Sequence, residues 1–181
     1  MLRLSITIIN NALRYLFCKA RWGALYKSDI IERIHRTATV RLYDNRSSIL
    51  LDRNIELDKY TDIQVHGNGK LEIGSRTYMN RFCMISCHGH IKIGNNCMFG
   101  PSVKIFDNNH KFSKQNGVSS QLSIGEIFIG DNCWIASNVI ILKGARIGNN
   151  CVIGAGCIID REIPDSTIVK QEPKQSSMPL I

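Results

Sequence analysis

The chain has 181 residues, of which 44% are hydrophobic, and it carries a formal net charge of +8. These values fit one globular domain that can bury a core, with a modest attached segment. No apolar run reaches the roughly 18 residues of a membrane span, which argues against a transmembrane helix. Residues 1–46 hold nine basic residues against three acidic ones. Such an excess fits an anionic membrane surface, an acidic partner or a solvated face.

The start of the chain, "MLRLSITIINNALRYLFCKARW", places apolar side chains at helical spacing: Ile6, Ile9, Leu13, Leu16 and Phe17. The pair "NN" and Arg14 interrupt the apolar stretch, and no small-residue cleavage site follows, so the pattern is not that of a signal peptide. The sequence predicts an amphipathic helical segment over residues 1–30. This segment either caps the domain or lies on a membrane, and the cap is favoured.

From residue 73 an apolar residue recurs every six positions in three runs: Ile73, Met79 and Ile85; then Ile93, Phe99 and Ile105; and later Ile129, Ile135, Ile141, Ile147, Ile153 and Ile159. A tandem hexapeptide is typical of a parallel β-helix, in which each unit supplies a short strand and a corner. Three units close one coil of about 18 residues, so each leading residue stacks on its equivalent in the next coil. Before residue 73, "NIELDKYTDIQVHGNGKLEIG" alternates in the manner of short strands, which predicts irregular first coils. We expect the β-helix domain to span residues 31–169, followed by a tail at 170–181.

Compact residues stand four positions after the leading residues, where a tight corner must accept them: Thr77, Cys83, Cys97, Val103, Cys133, Val139, Ala145, Cys151 and Cys157. Five of the seven cysteines fall in this class, and a free cysteine there acts as a small hydrophobe. Because the chain has no CxxC pair and no secretory signal, we predict reduced, structural thiols.

The repeat lapses over residues 107–127, "DNNHKFSKQNGVSSQLSIGEI". A polar loop of this length inside a compact repeat is usually functional. His110 stands at its entrance, and counting along the coil places His90 about one coil beneath it. Asp107 and Asn108 share the corner, so we predict that His90, Asp107 and Asn108 contact a substrate.

The repeats, the "DNNHKF" segment and "IFIGDNCWIASNVIILKGARIGNNCVIGAGCIIDREIP" together resemble the hexapeptide-repeat acyltransferases, especially the maltose/galactoside and polysaccharide O-acetyltransferases. The resemblance covers roughly residues 71–173. It implies an all-β, left-handed parallel β-helix with one extruded loop. It also implies a homotrimer with active sites between neighbouring β-helices, acetyl-CoA as co-substrate and no metal.

Acyl transfer from a thioester to a hydroxyl needs a base near neutral pH, and imidazole suits that role. His110 matches the catalytic histidine of the family. Asn80 matches an asparagine on the acceptor side, and its amide or a backbone N–H would stabilise the oxyanion. Trp134 matches a tryptophan near the site, where its face would pack on a sugar ring or on pantetheine.

By the same resemblance, coenzyme A would lie along the groove between coils, near Ala136, Ser137, Gly154 and Ala155. Its phosphates require cations, and the candidates are Arg161, Lys170 and Lys174. The family's usual Gly-Asn-Pro-Ala-Lys tail is "QEPKQ" here, with only the proline kept.

The sequence therefore predicts an O-acetyltransferase that acts on a surface polysaccharide, its lipid-linked precursor or a free saccharide. We expect a cytoplasmic protein, with residues 1–27 as the candidate contact for the inner face of the membrane, and no nucleic-acid partner. The alternatives are an N-acetyltransferase for a nucleotide-linked amino sugar and a γ-carbonic-anhydrase-like hydrase with zinc held by His88, His90 and His110. A non-catalytic trimeric scaffold is the third alternative.

Overall fold

The computed structural model describes residues 2–28 and 32–171, with side chains from residue 9 onward. It begins with one α-helix, α1 (Leu2–Trp22), and a 3₁₀ turn at Gly23–Leu25. The remaining described chain forms short strands, which we number β1–β22 in chain order. Twenty of the strands build three parallel sheets, A, B and C.

The strands of sheet A, in spatial order, are β1 (Tyr26–Lys27), β4 (Ser48–Leu51), β7 (Lys70–Ile73), β10 (His90–Ile93), β15 (Glu126–Ile129), β18 (Arg146–Ile147) and β21 (Glu162–Ile163). Those of sheet B are β2 (Arg33–Ile34), β5 (Glu56–Leu57), β8 (Tyr78–Met79), β11 (Met98–Phe99), β16 (Trp134–Ile135), β19 (Val152–Ile153) and β22 (Ile168–Val169). Those of sheet C are β20 (Ile158–Ile159), β17 (Ile140–Leu142), β12 (Lys104–Phe106), β9 (Met84–Cys87), β6 (Asp62–Val65) and β3 (Thr39–Leu42).

The chain visits the sheets in the cyclic order A, B, C, so each circuit is one coil of a parallel β-helix. Stacked residues are 23 positions apart in the first coil, as for Thr39 and Asp62, and 18 apart near the end, as for Asn132 and Asn150. The spacing rises to 36 between Asn96 and Asn132, where the extra segment leaves the coil. The irregular first coils are as predicted. The predicted 18-residue spacing holds for the coil after the hairpin, whereas the last coil is shorter, with 16 positions between Arg146 and Glu162.

The twelve leading residues of the repeat are all buried, with exposures of at most 3%. Each stacks on its equivalent, as Ile135 does between Phe99 and Ile153. This continuous apolar column is the main source of stability, because each coil buries the face of its neighbour.

The corner cysteines are free and buried. Their thiols donate across the coil boundary, from Cys97 Sγ to the Gly130 carbonyl at 3.1 Å and from Cys133 Sγ to the Gly148 carbonyl at 3.0 Å. Burial raises the pKa of the Cys83 thiol to about 11, so this thiol keeps its proton at neutral pH. A cysteine fits the corner because it is compact and still supplies one donor.

Left-handed backbone turns the chain from sheet A to sheet B, with φ of 55° at Asn96, 57° at Asn132 and 56° at Asn150. Asparagine tolerates this conformation better than most residues that carry a β-carbon. The three amides also form a ladder, with Nδ2···Oδ1 distances of 3.1 Å at each step. The recurring "NN" and "DN" pairs of the repeat therefore encode the corner.

Helix α1 packs against β1 and β2, at the end of the coil where the chain enters. The first strand begins at Tyr26, which is earlier than the boundary at residue 31 that the sequence predicted. Within the described part of the chain, no helix has the length and apolar character needed to cross a membrane. Residues 172–181, most of the predicted tail, lie outside the described residues.

Candidate active site

The predicted loop is an antiparallel hairpin of β13 (Asn108–Ser113) and β14 (Gly117–Ile124). It leaves the coil at the C–A edge, which we define as the corners that join sheet C to sheet A: residues 88–89, 107–125, 143–145 and 160–161. Asn108 pairs with Ile124 and His110 pairs with Leu122, and the register shifts between His110 and Phe112. Most of the hairpin is exposed, so it projects from the coil.

Asp107 anchors the hairpin at the point where it leaves the coil. Its side chain is fully buried. The carboxylate accepts hydrogen bonds from the backbone N–H groups of His88, at 2.9 and 3.0 Å, and Gly89, at 2.8 Å. The Asp107 carbonyl accepts from the Gly125 N–H at 2.8 Å, which ties together the two ends of the excursion. This geometry corrects the predicted substrate contact, because the oxygens of Asp107 are engaged inside the protein.

Asn108 has a similar supporting position. Its Nδ2 group donates to the Ser86 carbonyl at 3.2 Å and lies 3.1 Å from Asp107 Oδ1. Gly89 completes the anchor, since a β-carbon there would lie 2.6 Å from the Gly125 carbonyl oxygen. The Nδ2 group of Asn108 is thus engaged with the coil below, and a substrate contact of this half-buried residue stays a prediction.

His110 lies on the hairpin, and its side chain is exposed. Its Nδ1 is 3.0 Å from the Ser119 carbonyl oxygen. Because a carbonyl only accepts, Nδ1 must carry the hydrogen, and neutral imidazole then has its lone pair on Nε2. The strand opposite His110 therefore fixes both the tautomer and the ring orientation that a general base needs.

His90 does not lie beneath His110, which corrects the prediction. The chain leaves the coil after Asp107, so the residue stacked above His90 is Glu126. His90 Nε2 is 3.3 Å from Glu72 Oε1, and the ring meets Phe128 edge-on, with centroids 5.3 Å apart. The hydrogen bond from Lys70, with a further one from His90, lowers the pKa of Glu72.

A second group of predicted residues lies on the B–C edge, which we define as the corners that join sheet B to sheet C: residues 80–83, 100–103, 136–139 and 154–157. Asn80, Gly100, Ala136 and Gly154 stand one above another there. Each N–H donates to a carbonyl of the next coil, at 3.0 Å for Asn80 and 2.8 Å for the other three. Asn80 Oδ1 accepts from the Arg81 N–H at 2.8 Å, so its Nδ2 is the donor that an oxyanion would use.

Trp134 lies beside this edge on the outer face of sheet B and is 51% exposed. It stacks above Met98, which is 55% exposed, and below Val152. Ser137 and Ala155 follow Ala136 and Gly154 at the corner itself. Gly100, which the sequence analysis did not include, is needed in this column, because a β-carbon there would lie 2.7 Å from the Ser137 nitrogen.

The cationic candidates are divided between the two edges. Lys170 follows β22 in the column of Gly154, whereas Arg161 lies on the C–A edge, where its carbonyl accepts from the Arg146 N–H at 3.3 Å. Lys174 lies outside the described residues.

The two groups are separated by the width of sheet C, roughly 10–13 Å for strands of three to four residues. His110 belongs to the C–A edge, and Asn80 with the small-residue column belongs to the B–C edge. One copy of the chain therefore does not bring the predicted base and the predicted coenzyme groove together.

Among residues 2–28 and 32–171, no group of three or more His, Cys, Asp or Glu side chains is arranged to hold a metal ion. His88 stacks instead on His66, with ring centroids 4.7 Å apart, and His66 stacks on Tyr43 at 4.1 Å. The three histidines that the hydrase alternative requires thus have separate partners.

Residues 126–161 match the family described as "Bacterial transferase hexapeptide (six repeats)". Over these residues the chain is similar to that family. It is 33% identical over 107 residues to the galactoside O-acetyltransferase of Lactococcus lactis, a match that covers 59% of this chain and 52% of that protein. The chain thus spans about half the length of the galactoside O-acetyltransferases that it matches.

A second relative is the putative lipopolysaccharide biosynthesis O-acetyl transferase WbbJ of Escherichia coli, 26% identical over 138 residues, covering 71% of this chain and 70% of that one. Among solved structures, a hexapeptide-repeat-containing acetyltransferase from Vibrio cholerae, complexed with acetyl coenzyme A, superposes with a TM-score of 0.54. It is 22% identical, and the match covers 92% of this chain and 77% of that one. The resemblance to the hexapeptide acyltransferases and the left-handed parallel β-helix are both confirmed, and the roles of the site residues stay predictions.

Proposed function

We propose that this chain transfers an acetyl group from acetyl-CoA to a sugar hydroxyl, with His110 as the general base. The observation that carries the proposal is the bond from His110 Nδ1–H to the Ser119 carbonyl at 3.0 Å. It leaves Nε2 as an acceptor on an exposed hairpin, next to the hexapeptide coil. The similarity to O-acetyltransferases supports acetyl transfer to oxygen.

In the proposed reaction, His110 Nε2 accepts the proton of the sugar hydroxyl as the oxygen attacks the thioester carbonyl. The negative charge that forms on the carbonyl oxygen is stabilised by Asn80 Nδ2, because the backbone N–H groups of the column at the B–C edge already donate to the next coil. Collapse of the tetrahedral species breaks the carbon–sulfur bond. The proton on His110 then passes to the leaving thiolate, which restores the neutral imidazole and gives an acetyl ester and free coenzyme A.

The B–C edge supplies the proposed coenzyme groove. Gly100, Ala136 and Gly154 have no side chain or only a methyl group, so an extended pantetheine chain could run close to the backbone. The ring of Trp134 would form one wall of the groove, with Ser137 and Ala155 at the corner. Lys170 is the described cation nearest the end of this column, where a phosphate would need one.

We further infer that the complete site forms between two copies of the chain, the B–C edge of one facing the C–A edge of the next. The separation of the two predicted groups across sheet C supports this arrangement. In a homotrimer, three such heterologous contacts would close a ring, giving three equivalent sites. Arg161, on the C–A edge, would then approach the coenzyme bound to the neighbouring copy.

Free thiol released from acetyl-CoA, measured with a mixed panel of saccharides, tests the proposed reaction. We expect release above the rate without acceptor, and a product whose acetyl group mild alkali removes, as expected for an ester. An alkali-stable acetyl group would instead indicate an amide and an amino-sugar acceptor. Absence of acceptor-dependent release over a broad panel, with folded protein, would contradict acyl transfer to sugars.

A further inference from the structure

Helix α1 faces the coil with its polar side. Asn11 is buried, and its Nδ2 group donates to the Glu32 carbonyl. Arg14 Nη2 donates to the carbonyls of His35, at 3.2 Å, and Ala38, at 3.0 Å. Cys18, also buried, completes the inner face. These contacts fix the rotation of the helix about its own axis.

The apolar side of the same helix faces away from the coil. Ile9 is 58% exposed, Leu13 and Leu16 are each 61% exposed, and Phe17 is 65% exposed. At about 100° per residue these four side chains form one continuous stripe. A helix that only caps a domain turns its apolar stripe toward the core. The stripe of α1 faces outward instead, which indicates that it contacts an apolar environment outside this domain.

Basic residues border the apolar stripe. On the same helical projection, Lys19 and Arg21 fall on opposite sides of the four apolar residues, and both are exposed. Residues 1–28 contain no Asp or Glu. An apolar stripe between cations is the pattern of a helix that lies in the plane of an anionic lipid surface.

A second copy of α1 is a less suitable partner for this surface. Two such helices would bring Lys19 and Arg21 close to the same cations, and neither helix offers an acidic residue to pair with them. Anionic headgroups supply the opposite charge, and the acyl boundary beneath them accepts the apolar side chains.

We propose that α1 lies in the interface of an anionic bilayer, with Ile9, Leu13, Leu16 and Phe17 inserted and Lys19 and Arg21 at the headgroups. The coil then stands on the far side of the helix from the lipid. This proposal rests on the helix alone, so the result of its test does not depend on whether the chain transfers acyl groups. If both hold, the enzyme would acetylate acceptors that are themselves held near the membrane.

Co-sedimentation of the full chain with vesicles tests the lipid contact. We expect binding to vesicles of equal parts phosphatidylcholine and phosphatidylglycerol, and little binding to phosphatidylcholine alone. Leu16→Ser with Phe17→Ser should lower the partition coefficient at least about tenfold, because both apolar groups leave the interface. Lys19→Glu with Arg21→Glu should lower it at least as much, and high salt should weaken binding of the wild type.

Ile168→Ser is the matched control, since Ile168 is 64% exposed but lies at the opposite end of the coil. It should bind vesicles like the wild type. The proposal is overturned if the full chain does not bind the anionic vesicles, or if the Leu16/Phe17 variant binds them unchanged. It is also overturned if that variant alters only the oligomeric mass, which would assign the stripe to a contact between copies.

Discussion

Replacement of His110 by alanine is expected to lower the turnover number for acetyl transfer by about 10²- to 10⁴-fold, the usual range for loss of a positioned general base. The thermal midpoint should change little, because the His110 side chain is exposed and its described hydrogen bond joins only the two strands of the hairpin. The KM for acetyl-CoA should also change little, since the proposed role of His110 is to accept the proton of the sugar hydroxyl and not to hold the coenzyme. Steady-state thiol release and a thermal melt measure these quantities.

Lys111→Ala provides the control for this variant. Lys111 is the next residue of the same strand and is likewise exposed, but no role in the chemistry is assigned to it. It should retain the activity of the wild type. Equal turnover in His110→Ala and wild-type protein would contradict the assignment of the base, and the reaction would then need another group.

Replacement of Asp107 by alanine is expected to have the largest effect on both the hairpin and stability. The change leaves the N–H groups of His88 and Gly89 without their buried acceptor, at a cost of about 2–4 kcal/mol in the free energy of unfolding. It also frees the base of the hairpin that carries His110. Denaturant unfolding measures the first effect, and activity per folded molecule measures the second.

Asp131→Ala is the control that distinguishes loss of the hairpin anchor from the loss of any corner carboxylate. Asp131 Oδ1 accepts from the Asn95 N–H at 2.7 Å, but Asp131 is less buried and lies between sheets A and B, away from both proposed site edges. It should destabilise the protein by about 1 kcal/mol and preserve activity. If Asp107→Ala were as mild as Asp131→Ala in both respects, the proposed anchor would be wrong.

The coil was predictable from sequence because its determinants are local and periodic. Leading residues such as Ile135 and Ile153 recur at a fixed spacing, with a corner between one and the next. Asparagines adopt the left-handed backbone conformation at the corners between sheets A and B. A period of six with three units per coil leaves little freedom in topology. Handedness was different: it came from the resemblance, since the period itself is compatible with either hand.

The site was only partly predictable. Counting along the repeat placed His90 under His110, but the count fails once the chain leaves the coil, and Glu126 takes the next position instead. Asp107 was read as a substrate contact because a polar corner residue beside a base suggests one, whereas its burial depends on backbone N–H groups from the preceding coil. The Ser119 carbonyl that orients His110 has no sequence signal, because any residue could supply it.

The orientation of α1 was also beyond the sequence. Its amphipathic pattern was correctly read as a helix, but a pattern does not state which side faces the coil. The bonds from Arg14 to the His35 and Ala38 carbonyls decide this, and they depend on the corner that joins β2 to β3 in the first coil.

The central claim is that His110 of one copy activates the sugar hydroxyl that attacks acetyl-CoA bound at the B–C edge of another copy. Subunit complementation tests this claim most directly. The measurement is acetyl transfer by mixed oligomers from co-expression of His110→Ala and Asn80→Ala chains, each nearly inactive alone. Random mixing leaves about a quarter of the shared sites intact, so activity near a quarter of wild type is predicted. Mixed oligomers as inactive as both parents would contradict the shared site and place the base and the groove in one copy.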